Sequence, residues 1–383
     1  VIRVAILTTD NREHHRRYEL PEPYFGPAIE AVLQGLSMLP DLEIHVISCT
    51  QRPMSASEKL SSNTWFHLLH VPKIGWLRTG YQGCVRAIRR KLRELRPDIV
   101  HGQGTERECA LGAAFSGFPN VVTIHGNMRS VAKSVHARVG SYLWCAAKLE
   151  QFALPRTLGV FCNSAYTESL VRPLARRTWR VPNALRRAFF DTPLPVRSTA
   201  AKPILLNIGA ISPYKRQLDV LQIAEALFDQ KHSFEMHFIG VANPRDDYAA
   251  VFLRRIDIAH QKGFAQYLGT KSLSDLITAF DGASALIHMP SEEAFGLVVV
   301  EALARNLKLF GANVGGIPDI ASGIDGAELF DDFSALSSAI DRWLRSGCTG
   351  PETASGEMRN RYHPEVIARR HLEIYQEVLA NAC

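Results

Sequence analysis

The sequence predicts an α/β protein of two doubly wound domains, each a parallel sheet with helices on both faces. Three observations lead there. The 383 residues are too many for one compact core and suit two domains of ordinary size with a cleft between them. Apolar, β-rich runs alternate with helix-period segments along the whole length, the pattern of sheets wrapped by helices. Midway lies Asp191-Thr-Pro-Leu-Pro-Val-Arg-Ser-Thr-Ala-Ala-Lys-Pro203, whose prolines and small polar residues read as a linker, with the boundary near residue 195.

In the first domain, residues 1–195, strands are expected near Ile2–Leu7, Glu43–Ser48, Asp98–His101, Val121–His125 and Gly159–Cys162. Each is a short apolar or β-branched run bounded by turn residues. Helical periodicity places helices near Pro27–Met38, Gln82–Leu95 and Ser130–Phe152. The second domain, residues 196–362, repeats the alternation. Its strands are expected near Ile204–Ile208, Glu235–Gly240, Ala285–Met289 and Lys308–Phe310, and its helices near Arg216–Phe228, Asp247–Gln261 and Phe295–Arg305. No tandem repeat or low-complexity tract interrupts the series.

Hydrophobic residues are 46% and charged residues 21% of the chain, ordinary globular values. No apolar stretch is long enough to span a bilayer. The opening run lacks the basic and apolar regions of a secretion leader. The seven cysteines are scattered without C-x-x-C or metal-ligand spacing and read as reduced thiols, so a cytoplasmic location is expected. Charge is uneven: Lys and Arg number 26 against 14 Asp and Glu up to residue 190, and 18 against 24 beyond it. A basic half can face nucleic acid, anionic lipid or a phosphorylated substrate. The basic helix at 82–96 sets Val85, Ile88, Leu92 and Leu95 on one face and its arginines elsewhere. It reads first as a docked helix with a solvated cationic face and second as a contact with an anionic membrane, including the inner face of the cytoplasmic membrane. No aromatic interleaving or recognition motif points to nucleic acid.

The chemistry concentrates in Pro290-Ser-Glu-Glu-Ala-Phe-Gly-Leu-Val-Val-Val-Glu-Ala-Leu-Ala304. A strand, a loop and a helix follow one another as an anion site requires. Backbone N–H groups of Gly296, Leu297 and Val298 and the positive helix end would hold a phosphate. Glu293 before that site and Glu301 within the helix can accept hydrogen bonds from hydroxyls at two ends of one ligand. Read by themselves, the same residues are a helix-start acid and a solvated surface charge. Upstream, Ile204-Leu-Leu-Asn-Ile-Gly-Ala-Ile-Ser-Pro-Tyr-Lys-Arg216 places Lys215 and Arg216 where cations could meet a diphosphate as it gains charge. Solvated helix-start cations are the alternative.

Glu-x7-Glu, with Phe-Gly after the first Glu and Glu-Ala-Leu-Ala at the second, resembles the signature of glycosyltransferase family 4. The resemblance runs from a first-domain loop to Arg361-Tyr-His-Pro-Glu365. It implies a retaining enzyme of GT-B fold, its two Rossmann-like domains facing across a cleft and residues 363–383 forming a helix that packs back toward the first domain. It further implies transfer of a hexose-type sugar from a nucleotide diphosphate sugar, UDP or GDP first, to a glycan, glycolipid or small-molecule acceptor. No cofactor or metal is expected.

By position the resemblance assigns Lys215 to the diphosphate, Glu293 and His125 to the sugar, Glu301 to the ribose, and Gly26, Gly209, Leu268, Phe295 and Gly296 to Val298 to donor binding. Ala210 stands where the family carries a diphosphate-binding Arg, and Arg216 is the candidate substitute. Phe25-Gly26 replaces the usual Gly-Gly of the first loop. Gly315-Gly-Ile-Pro-Asp319 matches the turn after the signature, while Glu150, Asn163, Ser164 and Asn183 read as structural and His101 as a weak candidate. Two rivals stand beside this reading: a sugar-nucleotide epimerase of the same fold, and a catalytically silent scaffold, motivated by Ala210.

Overall fold

The computed structural model describes residues 1–196 and 202–382; part of the expected linker, 197–201, lies outside them. The chain divides into two compact units, Val1–Arg186 with Tyr362–Cys383, and Arg187–Arg361.

The first unit contains strands β1 (Ile2–Leu7), β2 (Leu42–Thr50), β3 (Lys59–Ser61), β4 (Thr64–His70), β5 (Ile99–Gln103), β6 (Asn120–Ile124), β7 (Gly159–Cys162) and β8 (Thr178–Arg180). They form one sheet in the order β3-β4-β2-β1-β5-β6-β7-β8, parallel except for the β3–β4 pair. Its helices are α1 (Pro27–Leu36), α2 (Gln82–Leu95), α3 (Glu108–Ala114), α4 (Met128–Ser134), α5 (Tyr142–Ala153) and α6 (Ala165–Val171). Both faces of β1 are covered, since Val4 and Ile6 join one apolar cluster and Ala5 and Leu7 another. That is why the run reads as continuously apolar rather than alternating.

One expected helix is two. The segment 130–152 breaks between α4 and α5, where Gly140 is left-handed (φ +80) and the Ser141 side chain caps α5 by accepting from the Trp144 amide. Ser at an N-cap satisfies an orphan helix donor, so the break is local chemistry rather than a tertiary effect.

The second unit contains α7 (Ala188–Asp191), β9 (Ile204–Ile208), α8 (Gln217–Asp229), β10 (Glu235–Ile239), α9 (Asp247–Gln261), β11 (Ala265–Tyr267), α10 (Leu273–Gly282), β12 (Ala285–His288), α11 (Leu297–Ala304), β13 (Lys308–Ala312), α12 (Ile317–Ala321), β14 (Ala327–Phe330), α13 (Phe333–Arg345) and α14 (Ala354–Tyr362). Its sheet runs β11-β10-β9-β12-β13-β14. Every pairing is parallel. Strand order reverses at β9, which has β10 on one side and β12 on the other. In open α/β sheets such a switch point opens the crevice where ligands bind. In the first unit β1 is the corresponding strand, between β2 and β5.

The last helix, α15 (Pro364–Ala382), returns to the first unit and packs on α1, with Ile367, Ala368, Ile374 and Tyr375 in the same cluster as Val32 and Leu36. His101, weak as a site candidate, joins α15 to the sheet: its ring nitrogens meet Tyr375 Oη at 2.6 Å and Thr123 Oγ1 at 2.7 Å. The ring is fully buried, and burial lowers its pKa well below the ordinary imidazole value.

Candidate functional site

Most of the candidate residues collect at the β9–β12 switch point. After β9 the chain makes a 3-10 turn, Pro213–Lys215, that aims Lys215 toward the loop leaving β12. Lys215 Nζ lies 2.5 Å from Glu293 Oε2. The same carboxylate oxygen is 3.2 Å from His288 Nε2. His288 ends β12 and is buried. Burial lowers its pKa, with Lys215 in the same direction and Glu293 opposing, so the ring is neutral at pH 7. A carboxylate can only accept, so the proton on this neutral ring sits on Nε2 and is donated to Glu293. Burial alone would raise the Glu293 pKa, but the hydrogen bond from His288 and the charge of Lys215 hold it down at about 2.

A depressed carboxylate pKa stabilises the fold above its unfolded value, about 4.3, and that contribution is lost as pH falls through the folded value. Urea melts between pH 7 and pH 2 are therefore expected to show stability falling below about pH 4.5, with the fall partly abolished in Glu293→Gln. An unchanged pH profile in that variant would contradict the arrangement.

The supports of this pair are backbone devices. Buried Gln217 receives the Ser212 amide on Oε1 at 3.2 Å and donates Nε2 to the Ala210 carbonyl at 3.0 Å, bracing the turn that carries Lys215. The Ser291 amide bonds the Tyr214 carbonyl at 2.8 Å and links the two loops. Behind Glu293, the Gly316 amide bonds the Glu293 carbonyl at 2.9 Å. Gly315 is left-handed (φ +57), and a Cβ there would stand 1.9 Å from that carbonyl oxygen. The Gly315-Gly316 turn is thus the wall against which Glu293 is set. Neither Gln217 nor His288 was singled out from sequence. His288 carried a usable signal, a polar residue at the carboxyl end of an apolar strand, whereas the role of Gln217 depends on loop geometry.

The other candidates take varied positions. Gly296, with φ +104 and ψ 55, is the N-cap of α11, a conformation glycine adopts without steric cost. The first bonds of the helix run from the Val299 and Val300 amides to its carbonyl, so Leu297 and Val298 lie in the first turn, where amides have no intrahelical partner. Phe295 buries its ring in the core. Glu301 is 6% exposed, which removes the solvated-charge alternative. Gly209 bonds the Ile239 carbonyl and Leu268 the Phe238 carbonyl, both through their amides. Arg216 is turned elsewhere: its guanidinium pairs with Asp219 at 3.1 Å and lies over the Phe333 ring at 4.2 Å.

Two candidates belong to the first unit. Gly26 caps α1 with ordinary extended geometry, and the preceding Phe25 is buried edge-on against Phe66. The bulky residue in the first loop therefore faces the core. His125 follows β6, its Nε2 3.0 Å from Gln103 Oε1. Burial pushes it down to about 4, with Asn183 opposing, so it too is neutral at pH 7. Glu150 is structural in geometry: its carboxylate accepts from Thr105 Oγ1 at 2.6 Å, Asn127 Nδ2 at 3.1 Å and the Met128 amide at 2.9 Å. The loop after β1 is organised by an unforeseen pair, Asp10 and Arg12, both buried and 2.7 Å apart.

A family model described as glycosyl transferases group 1 matches residues 195–364, and one described as glycosyltransferase family 4 matches residues 32–187. A trehalose synthase of Pyrococcus horikoshii is 24% identical over 185 residues, 46% of this chain and 44% of the relative. This chain thus matches less than half of that relative's length. Among solved structures, a sucrose-phosphate synthase from Thermosynechococcus elongatus superposes with TM-score 0.76 at 16% identity, covering 100% of both chains. Anabaena HepE in complex with UDP and glucose gives TM-score 0.70 at 14% identity over 98% of this chain and 100% of that one. The two family models cover the two parallel-sheet units in turn, and the fold is that of these neighbours: the chain belongs to the family 4, group 1 glycosyltransferases, with the two Rossmann-like domains of the GT-B fold.

Proposed function

We propose that the protein is a retaining glycosyltransferase that moves a hexose-type sugar from a UDP or GDP sugar to a glycan, glycolipid or small-molecule acceptor. The observation that carries this is the Lys215–Glu293–His288 arrangement at the β9–β12 switch point, beside the first turn of α11. A diphosphate against the Leu297 and Val298 amides meets a helix N-terminus, and Lys215 supplies the cation that stabilises charge on the departing group. Glu293, ionised and oriented by His288, accepts from sugar hydroxyls, and Glu301 from the ribose. His125 positions the sugar as a neutral donor or acceptor. Arg216 serves as the second cation only by leaving Asp219. Departure of the diphosphate with attack from the same face retains the anomeric configuration. The neighbour HepE of Anabaena, solved in complex with UDP-glucose, supports the donor class.

The test is a panel of UDP, GDP and dTDP sugars read by release of nucleotide diphosphate and by protection against heat, with the anomeric configuration of any product read by NMR. Release with a retained anomer supports the reading. An inverted anomer removes the retaining mechanism, and silence with every donor favours a catalytically silent scaffold. Among the described residues no helix is long and apolar enough to cross a membrane. Peripheral contact with anionic lipid is part of this reading, on the ground that α2 exposes Arg86, Arg89, Arg90 and Arg93, followed by its exposed C-cap Arg96.

A further inference from the structure

The first unit holds a cavity of about 740 Å³, within the range of small-molecule sites, that none of the assigned residues uses. Its walls come from the loops that follow β1 (Arg16, Tyr18), β2 (Arg52), β4 (Trp76) and β5 (Arg107), with Tyr142 from α5. The four strands are neighbours in the sheet, in the order β4-β2-β1-β5. The cavity therefore lies beyond the carboxyl ends of the strands around the switch point of the first unit, where ligands bind in this class of sheet.

In its wall guanidiniums outnumber carboxylates, Arg16, Arg52 and Arg107 against Glu13. Arg52 is held over the Tyr18 ring at 5.1 Å and Arg107 over the Trp76 ring at 4.8 Å. A ring face positions a guanidinium without neutralising it. Arg107 has a counter-charge in Glu108 at 3.3 Å and a second in Glu106, so Arg16 and Arg52 are the wall's less compensated cations. Among the described residues no carboxylate pairs with Arg16 or Arg52, and both are exposed. The one acid in the wall, Glu13, accepts the Gln51 amide on both oxygens at 3.0 and 3.1 Å, which fixes its carboxylate against the backbone while its single negative charge stays in a wall with three arginines. Trp76 is fixed by its own Nε1–H to the Val71 carbonyl at 2.9 Å, and the Tyr142 ring, 44% exposed, presents an aromatic surface.

We propose that this cavity binds the sugar acceptor through an anionic substituent, a carboxylate or phosphate held among Arg16, Arg52 and Arg107, with the ring of the sugar against Tyr142. Guanidinium forks match such anions in a bidentate way, and an aromatic face suits the apolar side of a pyranose. The inference rests on the glycosyltransferase reading above. In the transfer, an acceptor hydroxyl oxygen bonds to the anomeric carbon of the donor. The bond from that carbon to the diphosphate oxygen breaks with its electron pair going to the diphosphate, and the hydroxyl proton passes to the leaving group.

Calorimetry on the full chain without donor, using glucuronate, glucose 6-phosphate, glucose and inorganic phosphate, reads the site independently of catalysis. The two anionic sugars are expected to bind roughly tenfold or more tighter than glucose and than inorganic phosphate, as charge-assisted hydrogen bonds imply. Arg16→Gln with Arg52→Gln, both at exposed positions, is expected to erase that preference while donor hydrolysis stays at the parent rate. Equal binding of glucose, equal binding of inorganic phosphate, no binding at all, or a preference that survives the double variant would each overturn the proposal. Binding of the anionic sugars by a protein that neither hydrolyses nor is protected by any nucleotide sugar would fail the glycosyltransferase reading, and the acceptor assignment with it. Donor turnover without anionic preference would fail this inference alone.

Discussion

Lys215→Ala is expected to lower turnover by about 10²–10³, roughly 3–4 kcal/mol of transition-state stabilisation, the usual cost of deleting one preorganised group facing a developing negative charge. The magnitude follows from the neighbourhood. Arg216, the nearest cation in sequence, is tied to Asp219 and stacked on Phe333, and Ala210 carries no charge. The fold should survive, because the turn that carries Lys215 is braced by Gln217 and the Ser291–Tyr214 bond rather than by the lysine side chain. Glu293 keeps His288 as a donor. Steady-state release of nucleotide diphosphate, beside a melting curve, separates the two effects. Turnover within a few-fold of the parent would sink the assignment of Lys215. Arg216→Ala, measured in parallel, decides whether a second cation is used: little change means that Arg216 stays with Asp219.

The largest effect on stability is expected at Asp10→Ala. Arg12 is fully buried, and its guanidinium meets Asp10 through Nε at 2.9 Å and a terminal nitrogen at 2.7 Å, with the carbonyls of Leu20 and Ser55 as further acceptors. Removing the acid strands a buried charge. Such losses cost about 3–5 kcal/mol, which for a unit of this size lowers Tm by about 6–20 °C. Asp10→Ala combined with Arg12→Met is expected to recover a large part of the loss, because no unpaired charge is then left inside. A single variant that melts with the parent would show that the pair is dispensable.

The fold was legible wherever strands are buried on both faces. Ile2–Leu7, Gly159–Cys162 and Ile204–Ile208 match their observed limits because continuous apolar runs admit few alternatives. Strand β4, Thr-Trp-Phe-His-Leu-Leu-His, escaped notice because half-buried positions and two histidines interrupt its pattern. Strand β8 is three residues long with one buried side chain, too short for any period to register. At the site, Glu293 and Lys215 were singled out by their place after recognisable strands together with the resemblance of their segments to the family signature, and the structure brings the two side chains together. Gln217 could not. A glutamine opening a helix looks like surface, and only the path of the preceding turn makes it a brace. The Asp10–Arg12 pair was hidden for a similar reason, since two charges in a polar loop suggest solvent until the loop is seen to close over them.

The ion pair between Lys215 and Glu293 has a bearing on product discharge. On the proposed assignment, a complete donor satisfies both partners at once, with diphosphate oxygens on the lysine and sugar hydroxyls on the glutamate. The spent nucleotide can satisfy only the lysine and leaves a half-buried carboxylate that has lost one of the two partners holding its pKa down. Re-forming the pair then competes directly with the nucleotide for Lys215. The resting site thus acts as its own displacing ligand, favouring charged donor over exhausted donor before any acceptor arrives.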